Sequence, residues 1–331
     1  MLFFNTMMLG SLISISAYSW FTMWMGLEIN LLSIIPLFKS HKNHYPAESA
    51  LKYFITQSLA SMIILFSIIF SMNMSEFLPN NYNPWMMMIL NSALLMKLGA
   101  APFHSWFPEV ADGLNWINNL ILMTWQKLAP TILLMYNLNM TMFFTLIIII
   151  SSMIGGLYGI NQVSLRKILA YSSINHIAWM LASMLNNKMI WLIYFVIYSI
   201  ITLNIIMIFY YLNIFYLPQL FNSLNTNKMI KVLFIFNFFS LGGLPPFLGF
   251  LPKWLVINFM IYSQHYTLSL ILVIFTLLSL FFYIRMSFST LMFKMNENLI
   301  KNSNFFHFNW TMINILSLSG LIICPMIYSL L

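Results

Sequence analysis

Leu94-Leu95-Met96-Lys97-Leu98-Gly99-Ala100-Ala101-Pro102-Phe103-His104 is the stretch of sequence that decides the fold. It lies within an apolar segment, residues 82–111, which is long enough for a helix to cross a bilayer. Lys97 falls near the middle of this segment, where an ammonium group is costly. Because Pro102 has no N–H group for the Leu98 carbonyl, the helix is predicted to break just after the lysine. A free carbonyl beside a lysine at membrane depth must find protein or water, which indicates a proton or ion site. The alternative, a lysine that snorkels from a helix end, fits poorly with so deep a position.

The composition of the 331-residue chain is that of a membrane protein. Hydrophobic residues make up 61% and charged residues only 6%, whereas about a quarter of a soluble domain is charged. The apolar runs are continuous, which favours helices over the alternating strands of a barrel. The first apolar segment lacks a basic n-region and leads directly into a second, so we expect no cleaved signal peptide. The composition therefore predicts an all-α polytopic membrane protein.

About eleven transmembrane helices are predicted. They are residues 2–18, 20–38, 49–73, 82–111 (broken), 114–136, 141–161, 166–185, 189–213, 229–262 (broken), 268–293 and 309–330. Outside the span centres, ten basic residues fall on the side of the N-terminus, and only Lys188 falls on the other side. The ten are Lys39, Lys42, Lys52, Arg166, Lys167, Lys228, Lys231, Arg285, Lys294 and Lys301. This asymmetry places the N-terminus on the matrix or cytoplasmic side, and the odd number of spans places the C-terminus opposite.

A faint repeat relates the two broken spans. Pro102 and Pro108 have the same spacing as Pro246 and Pro252, and a Leu-Gly pair precedes each set, one residue out of step. The two spans lie five helices apart and so have opposite orientations. Interrupted spans at matching places of two inverted halves indicate a transport site.

The repeat predicts the internal organisation of a single transmembrane domain, residues 1–331. Its two inverted five-helix repeats are residues 1–136 and 137–293, and residues 294–331 add one C-terminal helix.

Five ionisable side chains lie deep in the predicted spans: Glu28, Lys97, Lys127, Lys253 and His176. Buried groups that interact strongly titrate as a set, which is what a proton relay requires. The alternative is a set of static ion pairs that fixes helix packing, but one carboxylate does not neutralise three lysines. His176 is a weaker candidate for the relay. The neighbouring serines, Asn175 and Tyr171 favour a hydrogen-bonded core histidine equally well.

Other features carry less weight. His104, Glu109 and Asp112 end the fourth span, where a solvated loop is favoured over a proton entry point. Gly155-Gly156 is interpreted as close helix packing. A single cysteine excludes an internal disulfide or a cysteine-ligated cluster, and the scattered histidines argue against haem. No phosphate loop, dinucleotide fingerprint or serine-triad elbow is present.

Six stretches resemble the subunit 2 family of NADH:ubiquinone oxidoreductase, respiratory complex I, in its short animal form. They are Met25-Gly26-Leu27-Glu28-Ile29-Asn30, Glu48-Ser49-Ala50-Leu51-Lys52-Tyr53-Phe54, Met96-Lys97-Leu98-Gly99-Ala100-Ala101-Pro102-Phe103-His104, Trp125-Gln126-Lys127-Leu128-Ala129-Pro130, Arg166-Lys167-Ile168-Leu169-Ala170-Tyr171-Ser172-Ser173-Ile174 and Leu241-Gly242-Gly243-Leu244-Pro245-Pro246-Phe247. The match extends over residues 20–290. The chain lacks the three N-terminal helices of the bacterial and plant pattern, as animal mitochondrial members do.

The resemblance implies an antiporter-like, proton-translocating subunit of NADH:ubiquinone reductase. The family's central axis of a glutamate and lysines falls on Glu28, Lys97, Lys127 and Lys253, and its helix-seven histidine on His176. The flavin, iron–sulfur clusters, NADH site and ubiquinone site belong to other subunits, so this chain is expected to hold no cofactor, no metal and no redox site.

The resemblance also implies partners and a location. The expected partners are the small subunit 4L, the antiporter-like subunit 4, accessory subunits and lipids such as cardiolipin, with no nucleic acid. The expected location is the mitochondrial inner membrane, with the N-terminus in the matrix and the C-terminus in the intermembrane space.

Two other functions remain open at this point: a free-standing cation/proton antiporter, and a structural subunit without a proton path. A sodium site would require several oxygen ligands. One deep carboxylate among three lysines favours protons instead.

Overall fold

The structure, a computed structural model, describes residues 1–39, 44–77, 84–224 and 228–292, together with Asn314. Over these residues it contains fourteen helices and no strand apart from an isolated bridge between Ser164 and Tyr216. The predicted span 309–330 lies outside the described residues except for Asn314. The all-helical class is confirmed, whereas the number of spans remains a prediction.

The helices follow the predicted apolar segments closely. Their bounds are α1 Leu2–Ser16, α2 Trp20–Phe38, α3 Tyr45–Phe77, α4 Pro84–Leu98, α5 Trp106–Gly113, α6 Trp116–Met123, α7 Trp125–Met135, α8 Thr141–Leu157, α9 Leu165–Asn186, α10 Lys188–Leu212, α11 Leu217–Leu224, α12 Lys228–Gly242, α13 Phe250–Tyr262 and α14 Tyr266–Met292. Five of these helices are long and apolar enough to cross a membrane: α2, α3, α9, α10 and α14. The predicted breaks appear as the gaps between α4 and α5 and between α12 and α13.

The segment 114–136 was expected to be one continuous helix, and that expectation is wrong. Thr124 interrupts it and separates α6 from α7. The Thr124 hydroxyl donates a hydrogen bond to the Leu120 carbonyl at 2.6 Å, which is local bonding of the kind that bends helices. Pro130 also removes the N–H group that the Gln126 carbonyl would have received. Lys127 therefore lies in the first turn of a new helix.

The chain forms two compact units, residues 1–150 and 151–331. In the first unit, α1 packs closely on α2 through two glycines. A Cβ atom added at Gly26 would lie 2.6 Å from the Ser14 nitrogen, and one added at Gly10 would lie 2.8 Å from the Asn30 nitrogen. Small residues allow such close contact between membrane helices. Helix α3 packs on α2, α4 and α5, and α7 packs on α4, α6 and α1.

In the second unit, α9 packs against α10, α13 and α14, and α12 packs between α10 and α14. In the apolar stretch of α9, 89% of the residues are buried inside the protein, whereas in that of α14 only 28% are buried. Helix α9 is therefore the central helix of this unit. A Cβ atom added at Gly155 would lie 2.7 Å from the Asn175 nitrogen, which confirms the predicted close packing of the Gly155-Gly156 pair.

Helices α4 and α12 end in the same local geometry. Gly99 and Gly243 have φ angles of 75° and 77°, a left-handed conformation that side chains disfavour. In α4, the N–H groups of Ala100 and Gly99 donate to the Leu95 and Met96 carbonyls at 3.1 and 3.2 Å. At the end of α12, the N–H groups of Leu244 and Gly243 donate in the same pattern, to the Phe239 and Ser240 carbonyls. Each break is thus a Schellman motif.

The shared geometry corrects one detail of the sequence repeat. Gly243, rather than Gly242, is the counterpart of Gly99, and it precedes Pro246 by the same spacing that separates Gly99 from Pro102. The glycines and prolines of the two breaks are therefore in step.

Candidate functional site

Lys97 lies in the last turn of α4 and is 7% exposed. A cation at this position is favoured by the negative end of the helix dipole. Side chains from two other helices bond carbonyls of the same turn. Gln57 donates to the Lys97 carbonyl at 3.3 Å, and the Trp106 indole donates to the Met96 carbonyl at 3.1 Å. The interrupted end of α4 is therefore held by polar groups of α3 and α5.

Glu28 lies on α2, is partly buried, and is within electrostatic range of the Lys97 ammonium group. Among the described residues, these two side chains do not form a direct ion pair. Because a lone carboxylate at membrane depth is costly, Glu28 is expected to contact Lys97 either directly or through water. The structure does not show the direct contact. The water-bridged arrangement remains a prediction.

A small polar cavity lies beside Lys97. It offers the centre of a water molecule about 10 Å³, close to the minimum that one water requires. Its lining consists of Leu27, Asn30, Leu31, Tyr53, Gln57, Lys97, Gln126 and Pro130. Asn30 and Gln126 exchange two hydrogen bonds, at 3.1 and 2.9 Å. The Tyr53 hydroxyl donates to Gln126 Oε1 at 3.3 Å.

Sequence reasoning missed these polar residues. Asn30 lies two positions after Glu28, and Gln126 directly precedes Lys127. Both occur in the quoted motifs, but neither side chain ionises, whereas all five candidate residues are ionisable. An amide deep in an apolar segment was the signal that would have found them, because a buried amide requires hydrogen-bond partners.

Lys127 is almost fully buried, with 1% of its surface exposed. Its ammonium nitrogen lies 5.6 Å from the centre of the Phe107 ring, within the range of a cation–π interaction. The Thr131 hydroxyl donates to the Lys127 carbonyl at 2.7 Å. Lys127 thus lies in the first turn of α7, with its ammonium group near the Phe107 ring of α5 and its carbonyl bonded by Thr131.

In the second unit, Lys253 lies on α13 and is 7% exposed. Its ammonium group donates hydrogen bonds to the carbonyls of Gly242 and Leu241, at 2.8 and 3.3 Å. These carbonyls belong to the end of α12, where no later N–H group continues the helix. The ammonium nitrogen also lies 6.0 Å from the centre of the Trp179 ring. Lys253 therefore caps the interrupted helix.

His176 is 7% exposed on α9, and its Nδ1 atom lies 2.9 Å from the Tyr194 hydroxyl. Its ring centre lies 5.0 Å from that of Tyr198. These contacts fit a hydrogen-bonded core histidine. Three residues later, α9 also supplies Trp179, the neighbour of Lys253. The structure does not test whether His176 carries protons, and its role remains a prediction.

The charged residues near the end of the fourth predicted span form a surface cluster. Lys52 makes ion pairs with Glu48 and Glu109, both at 3.1 Å. All three side chains are well exposed, so each pair contributes little stability. This geometry supports the solvated interpretation of Glu109. Among the described residues, no group of three or more His, Cys, Asp or Glu side chains is arranged to hold a metal ion.

The position of Gly243 leads to a first testable prediction. A Cβ atom at Gly243 would lie 2.9 Å from Lys253 Nζ, and the positive φ angle adds strain of about 1–2 kcal/mol. Gly243→Ala should displace the ammonium group from the two carbonyls and lower the thermal stability of the purified protein. At Gly242 the added atom would make only ordinary contacts, starting at 3.5 Å. Gly242→Ala is therefore the matched control, and equal thermal stability of the two variants would show that the cap does not stabilise the interrupted helix.

Comparisons with known proteins place this geometry in a family. Residues 17–279 match the family model described as NADH:quinone oxidoreductase/Mrp antiporter, TM. NADH-ubiquinone oxidoreductase chain 2 of Aedes aegypti is 50% identical over 336 aligned positions, which cover 100% of this chain and 98% of the relative. The Anopheles gambiae protein of the same name is 48% identical, and its alignment covers 99% of this chain and 97% of that protein. This chain belongs to the NADH-ubiquinone oxidoreductase chain 2 family.

The fold has a solved counterpart in a bacterial complex of the same kind. A chain of respiratory complex I from Thermus thermophilus, with bound Aureothin, superimposes with a TM-score of 0.86 at 22% sequence identity. The superposition covers 98% of this chain and 79% of that chain. As a member of this family, the chain is a multi-pass membrane subunit of an NADH-ubiquinone oxidoreductase. The predicted family is confirmed.

Proposed function

We propose that this chain moves protons across the mitochondrial inner membrane, driven by NADH oxidation and ubiquinone reduction in other subunits of complex I. The observation that carries the proposal is the placement of its three deep lysines. Lys97, Lys127 and Lys253 are at least 93% buried in apolar helices, and each lies beside a helix interruption. In the membrane, such charges are costly and are typical of functional sites.

Helix interruptions suit the chemistry of lysine. The interrupted ends offer backbone carbonyls and polar side chains that stabilise the ammonium form, as the cap on α12 illustrates. Once the proton leaves, the neutral amine is tolerated by the apolar surroundings. Lysine changes protonation state readily when it is buried, which arginine does not. A lysine beside an interruption can therefore hold a proton and release it.

The proposal assigns proton-carrying roles to five residues. Glu28, Lys97 and Lys127 serve in the first unit, and Lys253 and His176 in the second. Glu28 acts with Lys97, since the two interact electrostatically. The flavin, the iron–sulfur clusters and the NADH and ubiquinone sites lie in other subunits, so this chain contributes to the coupled reaction without its own redox chemistry.

The same proposal includes the membrane arrangement. The chain has about eleven spans, two inverted five-helix repeats and a C-terminal helix, with its N-terminus in the matrix and its C-terminus in the intermembrane space. The basic residues support this orientation, because they concentrate on one side of the predicted topology. The small subunit 4L, the antiporter-like subunit 4, accessory subunits and cardiolipin are the proposed neighbours.

A free-standing cation/proton antiporter is the second candidate, because the matching family model also covers Mrp antiporters. The near-complete length match to chain 2 proteins, at 48–50% identity, favours a subunit of complex I. The third candidate, a structural subunit, predicts that the buried lysines support assembly alone.

A test of the proposed function compares Lys97→Met with Lys52→Met in complex I reconstituted into liposomes. A positioned proton-transfer group contributes roughly 10²–10⁴-fold to the transfer rate. Lys97→Met should therefore abolish most proton flux through this chain and lower the number of protons pumped per NADH. Lys52 is an exposed lysine of the surface cluster, and its replacement should leave the ratio unchanged. A normal ratio with Lys97→Met would favour the structural subunit.

A further inference from the structure

The proton-carrying residues leave the Asn30–Gln126 pair unexplained. This pair joins α2, the helix of Glu28, to α7, the helix of Lys127. Asn30 Nδ2 donates to Gln126 Oε1 at 3.1 Å, and Gln126 Nε2 donates to Asn30 Oδ1 at 2.9 Å. Tyr53 adds a third bond from α3, again to Gln126 Oε1. Three helices of the first unit thus meet at one uncharged side chain.

The three bonds determine which way the Gln126 amide faces. A carbonyl oxygen accepts two hydrogen bonds, and Gln126 Oε1 receives both, from Asn30 and from Tyr53. One N–H group of Gln126 is used by Asn30, so the amide retains one donor and no acceptor. Because Gln126 lines the cavity beside Lys97, it can still donate one hydrogen bond into the cavity but can accept none.

The cavity matches one water molecule in size and in polarity. Its volume of about 10 Å³ is close to the requirement for a single water. Within the described part of the chain, no protein group accepts a hydrogen bond from the Lys97 ammonium, although Lys97 lines the same space. The acceptors that remain are the second lone pair of Asn30 Oδ1 and the Tyr53 oxygen. A water here has four candidate partners.

We propose that Gln126 is a positioning residue that orients one water molecule at Lys97, a role that rests on the proposed function of this chain. Held by Asn30 and Tyr53, the amide donates its remaining N–H to the water oxygen. The second lone pair of that oxygen then faces the Lys97 ammonium. When Lys97 releases its proton, an N–H bond breaks as an O–H bond to the water forms. Glu28 does not line the cavity, so the water gives one of its own protons to a second water, which protonates the Glu28 carboxylate. One proton moves, and both waters are restored.

The amide itself carries no proton in this scheme. Its contribution is to hold the water so that a lone pair of the water oxygen can accept the proton of Lys97. A water in another orientation would form its hydrogen bonds with other groups. A purely structural pair would matter only for joining α2 to α7. The two roles differ in their effect on pumping when the packing of the helices is preserved.

The test uses variants of this chain in complex I reconstituted into liposomes. Gln126→Met keeps the side-chain volume and removes every amide bond. The double variant Asn30→Gln with Gln126→Asn moves one methylene from one residue to the other and keeps a reciprocal amide pair. Asn118→Leu is the matched control, since the Asn118 amide also joins the first unit's helices, by a bond to the Leu37 carbonyl at 3.0 Å, but does not line the cavity. The readouts are protons pumped per NADH oxidised, electron-transfer rate with uncoupler, and yield of intact complex.

We expect Gln126→Met to assemble, to retain uncoupled electron transfer, and to pump at least twofold fewer protons per NADH. The double variant should restore most of the ratio, and Asn118→Leu should match the parent. A parental ratio with Gln126→Met, or a double variant as impaired as Gln126→Met, would overturn the proposal. If Gln126→Met fails to assemble, Gln126→Glu carries the test, because it keeps the bonds from Asn30 and Tyr53 and loses the donor. Parental pumping by that variant would also overturn it.

A parallel measurement on Lys97→Met separates the inference from the proposed function. If Lys97→Met pumps fewer protons while Gln126→Met is normal, only the role of Gln126 fails. If Lys97→Met pumps as the parent does, the proposed function fails with it.

Discussion

Complex I that carries Lys127→Met should assemble and oxidise NADH but pump fewer protons per NADH. Methionine keeps the length of the side chain and removes the group that takes up and releases the proton. Lys127 is 1% exposed, and replacing a buried charge by an apolar side chain of similar size relieves a desolvation cost. The folded chain should therefore tolerate the change. Proton uptake and NADH oxidation are measured together in liposomes, with the yield of intact complex.

The neighbouring substitution Leu128→Met is the control for Lys127→Met. It introduces methionine one position further along α7 without removing an ionisable group, and should leave the pumping ratio unchanged. If Lys127→Met lowers the yield of complex while the assembled fraction pumps normally, Lys127 has a structural role and the relay does not pass through it.

The second large effect is expected when Glu28 and Lys97 are replaced singly. Each variant, Glu28→Gln or Lys97→Met, leaves the other charge without its electrostatic partner. Removing one partner of a fully buried pair costs about 3–5 kcal/mol, whereas replacing both is often neutral. Glu28 is only partly buried and makes no direct ion pair with any residue that the structure describes, so the cost should lie below that range. Both single variants, and the double variant that combines them, should lose pumping.

The measurement for this pair is the thermal stability of the isolated complex. We expect the double variant to be more stable than at least one of the single variants. If the losses of the single variants simply add in the double variant, Glu28 and Lys97 do not interact, and the electrostatic pairing is refuted.

Local chemistry explains why much of the fold was predictable. The apolar runs set the positions of the helices, since a chain in lipid must satisfy its own backbone hydrogen bonds. The breaks followed from prolines, which lack an N–H group wherever they occur. The interruption at Thr124 was not predicted, because threonine also occurs in many continuous helices. The hydrogen bond from the Thr124 hydroxyl to the Leu120 carbonyl depends on the local backbone conformation, which the sequence does not give.

The polar surroundings of the lysines depend on contacts between distant parts of the chain. Asn30 and Gln126 lie 96 residues apart, and nothing in either motif indicates that they meet. Burial identified Lys253 as a candidate, but its bonds to the end of α12 require α13 to fold back on that helix. Ionisable residues could thus be selected from the sequence, whereas their hydrogen-bond partners required the structure.

The number of protons pumped per NADH by complex I that carries Lys127→Arg tests the central claim most directly. Arginine keeps the positive charge but does not release its proton at any accessible pH, so it separates a carrier of protons from a fixed charge. If the buried lysines of this chain carry protons, the ratio should fall while intact complex forms and uncoupled NADH oxidation continues. A ratio equal to that of the parent would contradict the claim and assign Lys127 a structural role.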